Sequence, residues 1–202
     1  MHLAGRYNIA NMLCAAGLAL DAGVSLDTVA ATLEQVRPQW GRLERVATAL
    51  PAAVFVDYAH TDDALCNVLT TLREITRGRL IVVFGCGGDR DRSKRPLMGR
   101  VCAELADLAV VTSDNPRSEE PMAIINEILA GVPTGATVAV EPDRRMAIRL
   151  ALTEAEPDDV VLVAGKGHEP FQELADRTVP FDDRQVVAEE ARTVGGAGRQ
   201  DR

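Results

Sequence analysis

The spacing of apolar residues changes character near residue 53. Before that point, residues 8–22 ("NIANMLCAAGLALDA") repeat apolar positions at helical intervals, and Gly23 can stop the helix. A second helix is predicted from Ser25, an N-cap residue, to about Val36, with Pro38 closing it. This pair has no strand of its own and reads as the end of a larger domain. From residue 53 onward, short apolar runs alternate with amphipathic segments of ten to fifteen residues, the β-α-β signature of a parallel sheet. Strands are predicted at 53–58, 79–85, 108–113, 136–140 and 159–165, and their nearly continuous Val, Ile and Leu runs imply burial on both faces. Residues 178–181 ("TVPF") contain a proline and suit an edge strand. The Gly-rich, charged tail "TVGGAGRQDR" is expected to be disordered, and no internal repeat is visible.

The unusual polar residues follow the strands: "DYAHTDD", "GCGGDRDRSKRP", "SDNPRSEEP" and "GKGHEP". In an open α/β sheet, ligands bind beyond the carboxyl ends of the strands, so four loops should meet at one site. "GCGG" is close to the dinucleotide fingerprint, but Arg90 takes the third glycine position, which leaves a nicotinamide-binding domain as the runner-up. "GKGHE" is not a P-loop, because Val160 stands at the first glycine position and Gly167 at the hydroxyl position. That segment can still offer a carbonyl at Gly165 and a carboxylate at Glu169 to an ammonium group. Asp57 can accept the two hydroxyls of a ribose or cap the next helix, and capping is the default reading. Asn8 and Asn11 are either surface residues or amide readers of a base.

Composition narrows the classes. The 202-residue chain holds one ordinary domain and part of another, with 47% hydrophobic and 26% charged residues. No apolar run approaches the roughly 20 residues of a membrane span. Met1–Arg6 lacks the marks of a secretory signal, so a cytoplasmic location is expected. Cys14, Cys66, Cys86 and Cys102 are widely separated and read as buried thiols, and neither they nor the three histidines have metal-ligand spacing. A net charge of −8 argues against nucleic acid. The basic "RDRSKR" is short and interleaved with acids, and it is better suited to one small anion or to a solvated loop.

Taken in order, "GRYNIAN" with "AAG", then "GRLE", "VDYAHT", "FGCGGDRDRSKRPLMG", "TSDNPRSEEP" and "VLVAGKGHE" resemble the C-terminal part of the Mur ligases over residues 4 to 192, and within them the branch that adds diaminopimelate. The resemblance implies a Rossmann-like C-terminal domain at 40–194, preceded at 1–39 by the last helices of a central ATPase domain and followed by a disordered tail at 195–202. It implies ATP and Mg2+ as cofactors, with the P-loop and Mg2+ ligands upstream. The implied partners are meso-diaminopimelate and the UDP-N-acetylmuramoyl dipeptide, for a monomeric enzyme. ATP would phosphorylate the γ-carboxylate of the D-glutamyl residue, and the amine of diaminopimelate would attack the acyl phosphate. By the same resemblance Asn11, Arg42, Asp57 and His60 contact ATP, while Arg90, Asp114, Asn115, Arg117, Gly165 and Glu169 hold the amino acid. No general base can be named. Asp62 departs from the usual "DYAHTPD", which loosens a turn and removes no ligand.

The chemistry of the residues agrees with this assignment. Diaminopimelate carries a distal amino-carboxylate centre that can only be recognised. Arg117 can grip its carboxylate with a bidentate fork. Asn115, the Gly165 carbonyl and Glu169 can accept from its ammonium, and Arg90 can take the carboxylate of the reacting centre. Lysine lacks the distal carboxylate and would leave Arg117 buried and unpaired, which favours diaminopimelate. A lysine-adding ligase, or a non-catalytic fragment or binding module lacking the P-loop, remains the alternative.

Overall fold

The computed structural model describes residues 6–36 and 40–197, in two compact units, Met1–Gln39 and Trp40–Arg202. The first unit is a helical pair, α1 (Arg6–Asp21) and α2 (Leu26–Gln35). Ser25 caps α2 by accepting from the Thr28 amide, as its sequence position predicts. Met12 and Val29 are buried, whereas Leu13 and Leu18 on α1 stay exposed. Pro38 lies outside the described residues.

The second unit is built on a six-stranded sheet. In chain order its elements are β1 (Glu44–Val46), β2 (Ala53–Asp57), α3 (Asp62–Arg73), β3 (Leu80–Phe84), α4 (Lys94–Leu105), β4 (Leu108–Val111), α5 (Pro121–Leu129), β5 (Val138–Val140), α6 (Arg144–Glu154), β6 (Val160–Ala164), β7 (Phe171–Glu173), β8 (Thr178–Pro180) and α7 (Asp183–Ala197). The sheet order is β1-β2-β6-β3-β4-β5; β2 through β5 are parallel to their neighbours and only β1 runs antiparallel. All five predicted parallel strands form. β1 is an addition, because its Glu-Arg-Val sequence carries no strand signal of its own.

Alternation along the strands sorts the core into two layers. Val54, Val56, Ile81, Val83, Val161 and Val163 join Ala147, Ile148, Val186 and Val187 of α6 and α7 in one cluster. The intervening residues Phe55, Val82, Phe84 and Leu162 are buried too, as are Leu65, Leu69, Met98, Ile124 and Ile128 on α3, α4 and α5. Helices therefore cover both faces, and the loops at the carboxyl ends of β2, β3, β4 and β6 are left to build a site.

Three expectations change. "TVPF" does not edge the main sheet: β8 pairs with β7 as a separate antiparallel hairpin, in which Pro180 sits opposite Phe171. Residues 195–197, expected in a disordered tail, belong to α7, which continues through Gly195 and Gly196 to Ala197; residues 198–202 lie outside the described residues. Cys86 and Cys102 are buried as expected, but Cys14 on α1 and Cys66 on α3 are exposed.

Candidate functional site

A cleft of about 310 Å³ opens at the carboxyl ends of the parallel strands, and Arg90, Asp114, Asn115, Arg117, Gly165 and Glu169 all line it. His60, Tyr58, Lys94 and Cys86 complete much of its wall. The six candidate amino-acid ligands, separated by up to 79 positions in sequence, are thus brought to one place by the parallel topology.

The loops after β3 and β4 interlock. Gly88 packs so closely on the Pro116 carbonyl that a Cβ would sit 1.8 Å from that oxygen, and the Gly88 amide donates to the Asn115 carbonyl at 2.8 Å. Asp89 and Arg117, one in each loop, both have positive φ, 53° and 50°, in the left-handed region that non-glycine residues rarely enter. Both are fastened there. The Asp89 amide donates to Glu119 at 2.7 Å and its carboxylate accepts from the Ser118 hydroxyl at 2.6 Å. The Arg117 amide donates to the Glu173 carbonyl on β7 at 3.1 Å. Beneath them Arg95, 1% exposed, grips Glu119 with two nitrogens and also donates to Glu127 and to the Gly87 carbonyl. Hydrogen bonding from Arg95 is the main cause that lowers the Glu119 carboxyl to about 2.

The buried acid Asp114 stands at the end of β4. Burial raises its carboxyl above the ordinary range, and the charges of Arg144 and Lys166 only partly offset that. Its side chain reaches Gly165, where φ is 116° and a Cβ would meet the Asp114 Oδ2 at 2.6 Å. Arg144 at the start of α6, wholly buried, pairs bidentately with Asp183 of α7 at 2.8 and 2.7 Å. Its remaining donors reach the carbonyls of Ser113 and Ala164, so one guanidinium ties together the ends of β4 and β6 across β3.

Two assignments made from sequence are corrected by these contacts. Asn115 cannot offer its side-chain oxygen to a ligand, because Oδ1 already accepts from the Lys166 ammonium at 2.7 Å and from the Glu173 amide at 3.0 Å. Its Nδ2 donates instead to Glu169 at 3.0 Å. Arg117 would not be left unpaired by a lysine ligand either. Its Nη1 donates to the Gly88 carbonyl at 2.9 Å, and Nε lies 2.6 Å from Glu173 Oε2, although out of line for a hydrogen bond. Discrimination must then rest on what the free part of the guanidinium gains from a carboxylate. Arg90, by contrast, is exposed at the rim, bonds only to the Asp89 carbonyl, and has no carboxylate in ion-pair range among the described residues.

Asp57, at the end of β2, is 8% exposed. It does not cap α3, whose N-cap is Thr61; its two oxygens accept from the Leu43 and Ala59 amides at 2.6 and 2.8 Å. Burial raises its carboxyl, and the two amides and Arg42 pull back part of the rise. Arg42 lies over the Tyr58 ring at 4.8 Å, and the rings of His60 and His168 flank Tyr58 at 4.6 and 5.2 Å. His60 Nδ1 donates to the Tyr58 carbonyl, and its Nε2 has no hydrogen bond among the described residues. Gly41 beside Arg42 packs on the loop after β6, where a Cβ would fall 2.2 Å from the His168 nitrogen. Arg42, Asp57 and His60 therefore form one neighbourhood; Asn11 lies on exposed α1 in the other unit. No group of three or more His, Cys, Asp or Glu residues suited to a metal ion occurs among the described residues.

Sequence reasoning missed Lys166, Arg95, Arg144, Asp183 and Glu173. Lys166 had one signal, a lysine between two glycines at a strand end. The Arg144–Asp183 pair spans 39 positions and has no local signature.

The model of the family described as "Mur ligase, glutamate ligase domain" matches residues 41–167. The chain is 54% identical over 188 residues to the UDP-N-acetylmuramoyl-L-alanyl-D-glutamate–2,6-diaminopimelate ligase of Gloeobacter violaceus, covering 93% of this chain and 38% of that protein. It is 52% identical over 197 residues to the enzyme of the same name from Chromobacterium violaceum, covering 96% and 39%. The chain thus spans less than two fifths of the length of these relatives. A solved structure of a ligase of that name superimposes with a TM-score of 0.74 at 37% identity, over 98% of this chain and 40% of the other. UDP-N-acetylmuramate-alanine ligase from Thermotoga maritima, at 20% identity and a TM-score of 0.63 over 99% of this chain and 39% of the other, shares the fold.

Proposed function

We propose, from the premise that this chain belongs to the Mur ligase family through its glutamate ligase domain, that it is the amino-acid-presenting part of an ATP-dependent ligase. That ligase adds meso-diaminopimelate to UDP-N-acetylmuramoyl-L-alanyl-D-glutamate in cytoplasmic peptidoglycan synthesis. The observation that carries the reading is the composition of the cleft, which has cations at Arg90 and Arg117 and carboxylates at Asp114 and Glu169. A double zwitterion needs both kinds of partner, each at a fixed position.

In this reading Arg117 and Glu169 hold the distal carboxylate and ammonium, and Arg90 holds the carboxylate of the reacting centre. The contribution is proximity: an amine held in line with the carbonyl of an acyl phosphate attacks it, the C–N bond forms, and inorganic phosphate leaves. ATP fits the neighbourhood of Arg42, Asp57 and His60. There the buried carboxylate keeps lone pairs for ribose hydroxyls, and a guanidinium, an aromatic ring and two imidazoles stand together. Asn11 is proposed as a further nucleotide contact. These 202 residues contain no P-loop, so the phosphates and Mg2+ are assigned to ligands outside this chain.

The test is a calorimetric titration of the chain with meso-diaminopimelate and with L-lysine. Preferred binding of diaminopimelate is expected. Arg117→Ala should weaken it by about 2 to 5 kcal/mol while changing lysine binding much less. Equal affinity for the two ligands in the unaltered chain would sink the assignment.

A further inference from the structure

The Lys166 ammonium is wholly buried. It follows the last residue of β6 by two positions and turns into the protein under the cleft, towards the loop after β4. Its partners are the Asn115 Oδ1 at 2.7 Å and the Glu169 Oε2 at 3.5 Å, with the Phe171 ring 6.0 Å away. Asn115 Nδ2 donates to that same Glu169 oxygen at 3.0 Å. The amide orientation is unambiguous, because an oxygen facing an ammonium and a backbone N–H, and an NH2 facing a carboxylate, satisfy all four groups together.

Asn115 Nδ2 therefore donates to Oε2 of Glu169 with the Lys166 ammonium in ion-pair range of the same oxygen, and Oε1 has no hydrogen bond among the described residues. Lys166 also balances charge. Arg144 is paired with Asp183, and Lys166 is the cation that faces Asp114 and Glu169.

We propose that Lys166, acting through Asn115, is a positioning residue that clamps Glu169 Oε2 and presents Oε1 to the distal ammonium of the diamino acid. The inference rests on the diaminopimelate reading above and extends it to a residue that does not touch the ligand. Removing Lys166 frees the Asn115 amide, which then no longer holds Glu169 in the orientation that presents Oε1.

The test compares meso-diaminopimelate with pimelate, which keeps the chain and both carboxylates but has no amine, in amide chemical-shift titrations of the unaltered chain and of Lys166→Met. The variant is expected to bind diaminopimelate at least tenfold more weakly and pimelate within twofold of the parent. A general loosening of the site would weaken both ligands alike and would overturn the proposal, as would undiminished preference for diaminopimelate in the variant. Should Lys166→Met not fold, Asn115→Ala carries the same expectation and the same two overturning results. If the unaltered chain itself does not prefer diaminopimelate over pimelate, the parent reading fails first, and the two failures are told apart.

Discussion

Arg144 and Arg90 both serve the same crevice, yet they are built in opposite ways. Arg144 has no exposed surface and spends its donors on Asp183, Ser113 and Ala164. Arg90 is exposed and has only the Asp89 carbonyl. A guanidinium desolvated among fixed acceptors holds strand ends in register, and one left with free donors at a rim can bind a ligand. Arg117 stands between them, with Nη1 donating to the Gly88 carbonyl and Nε in ion-pair range of Glu173, while the residue lines the cleft. The difference implies that stability and recognition respond to different arginines.

The sharpest way to break that division is Arg144→Met. Asp183 would be left buried without a counter-charge and two strand-end carbonyls without donors, for a loss of about 3 to 5 kcal/mol. For a domain of this size that lowers the melting temperature by on the order of 10 °C. A drop of only a degree or two would show that the buried pair does not hold the strand ends. Pairing the change with Asp183→Leu should recover part of the loss, because the orphaned charge is then gone. Gly88→Ala comes next. Its methyl would overlap the Pro116 carbonyl, and relief requires the two loops to separate, at about 1 to 3 kcal/mol. Denaturant unfolding would measure it, and an unchanged midpoint would mean that the loops are not rigidly interlocked.

The sequence shows these features unequally, and for physical reasons. The parallel strands were legible because burial on both faces forces uninterrupted apolar runs. The convergence of four loops was legible because strand ends meet in this topology, and the six cleft residues could be named because the motifs that resemble the Mur ligases lie in those loops. The supporting contacts were not legible. Lys166 reaches Asn115 across 51 positions and Arg144 reaches Asp183 across 39, and a pairing between loops leaves no periodicity behind. Asp57 shows the reverse failure. Its helix-cap reading followed from position alone, but Thr61 takes the cap, and Asp57 binds the Leu43 amide that β1 brings alongside.

A smaller effect separates the two groups of charges by pH. Glu119 has its carboxyl lowered from 4.5 to about 2, chiefly by Arg95. A depressed carboxyl stabilises the fold fully above its unfolded value, and that contribution is lost as pH falls from 4.5 towards about 2. Glu119→Gln should remove this part of the acid slope, so the gap between parent and variant is constant above 4.5 and closes as pH falls towards about 2. Urea unfolding across that window measures it. A constant gap would mean that the Arg95 contact acts through shape rather than charge.

The smallest change in stability belongs to Arg90→Ala. The side chain is exposed and leaves no buried partner behind, so unfolding should shift by no more than about 0.5 kcal/mol. Binding should respond quite differently. A carboxylate held by charge-assisted hydrogen bonds gains about 1.5 to 3 kcal/mol from them, and losing that weakens diaminopimelate roughly 10- to 100-fold. Unfolding and titration on one variant therefore test both halves of the contrast. A variant that melts early and still binds would make Arg90 a second Arg144 and move carboxylate recognition to Arg117 alone.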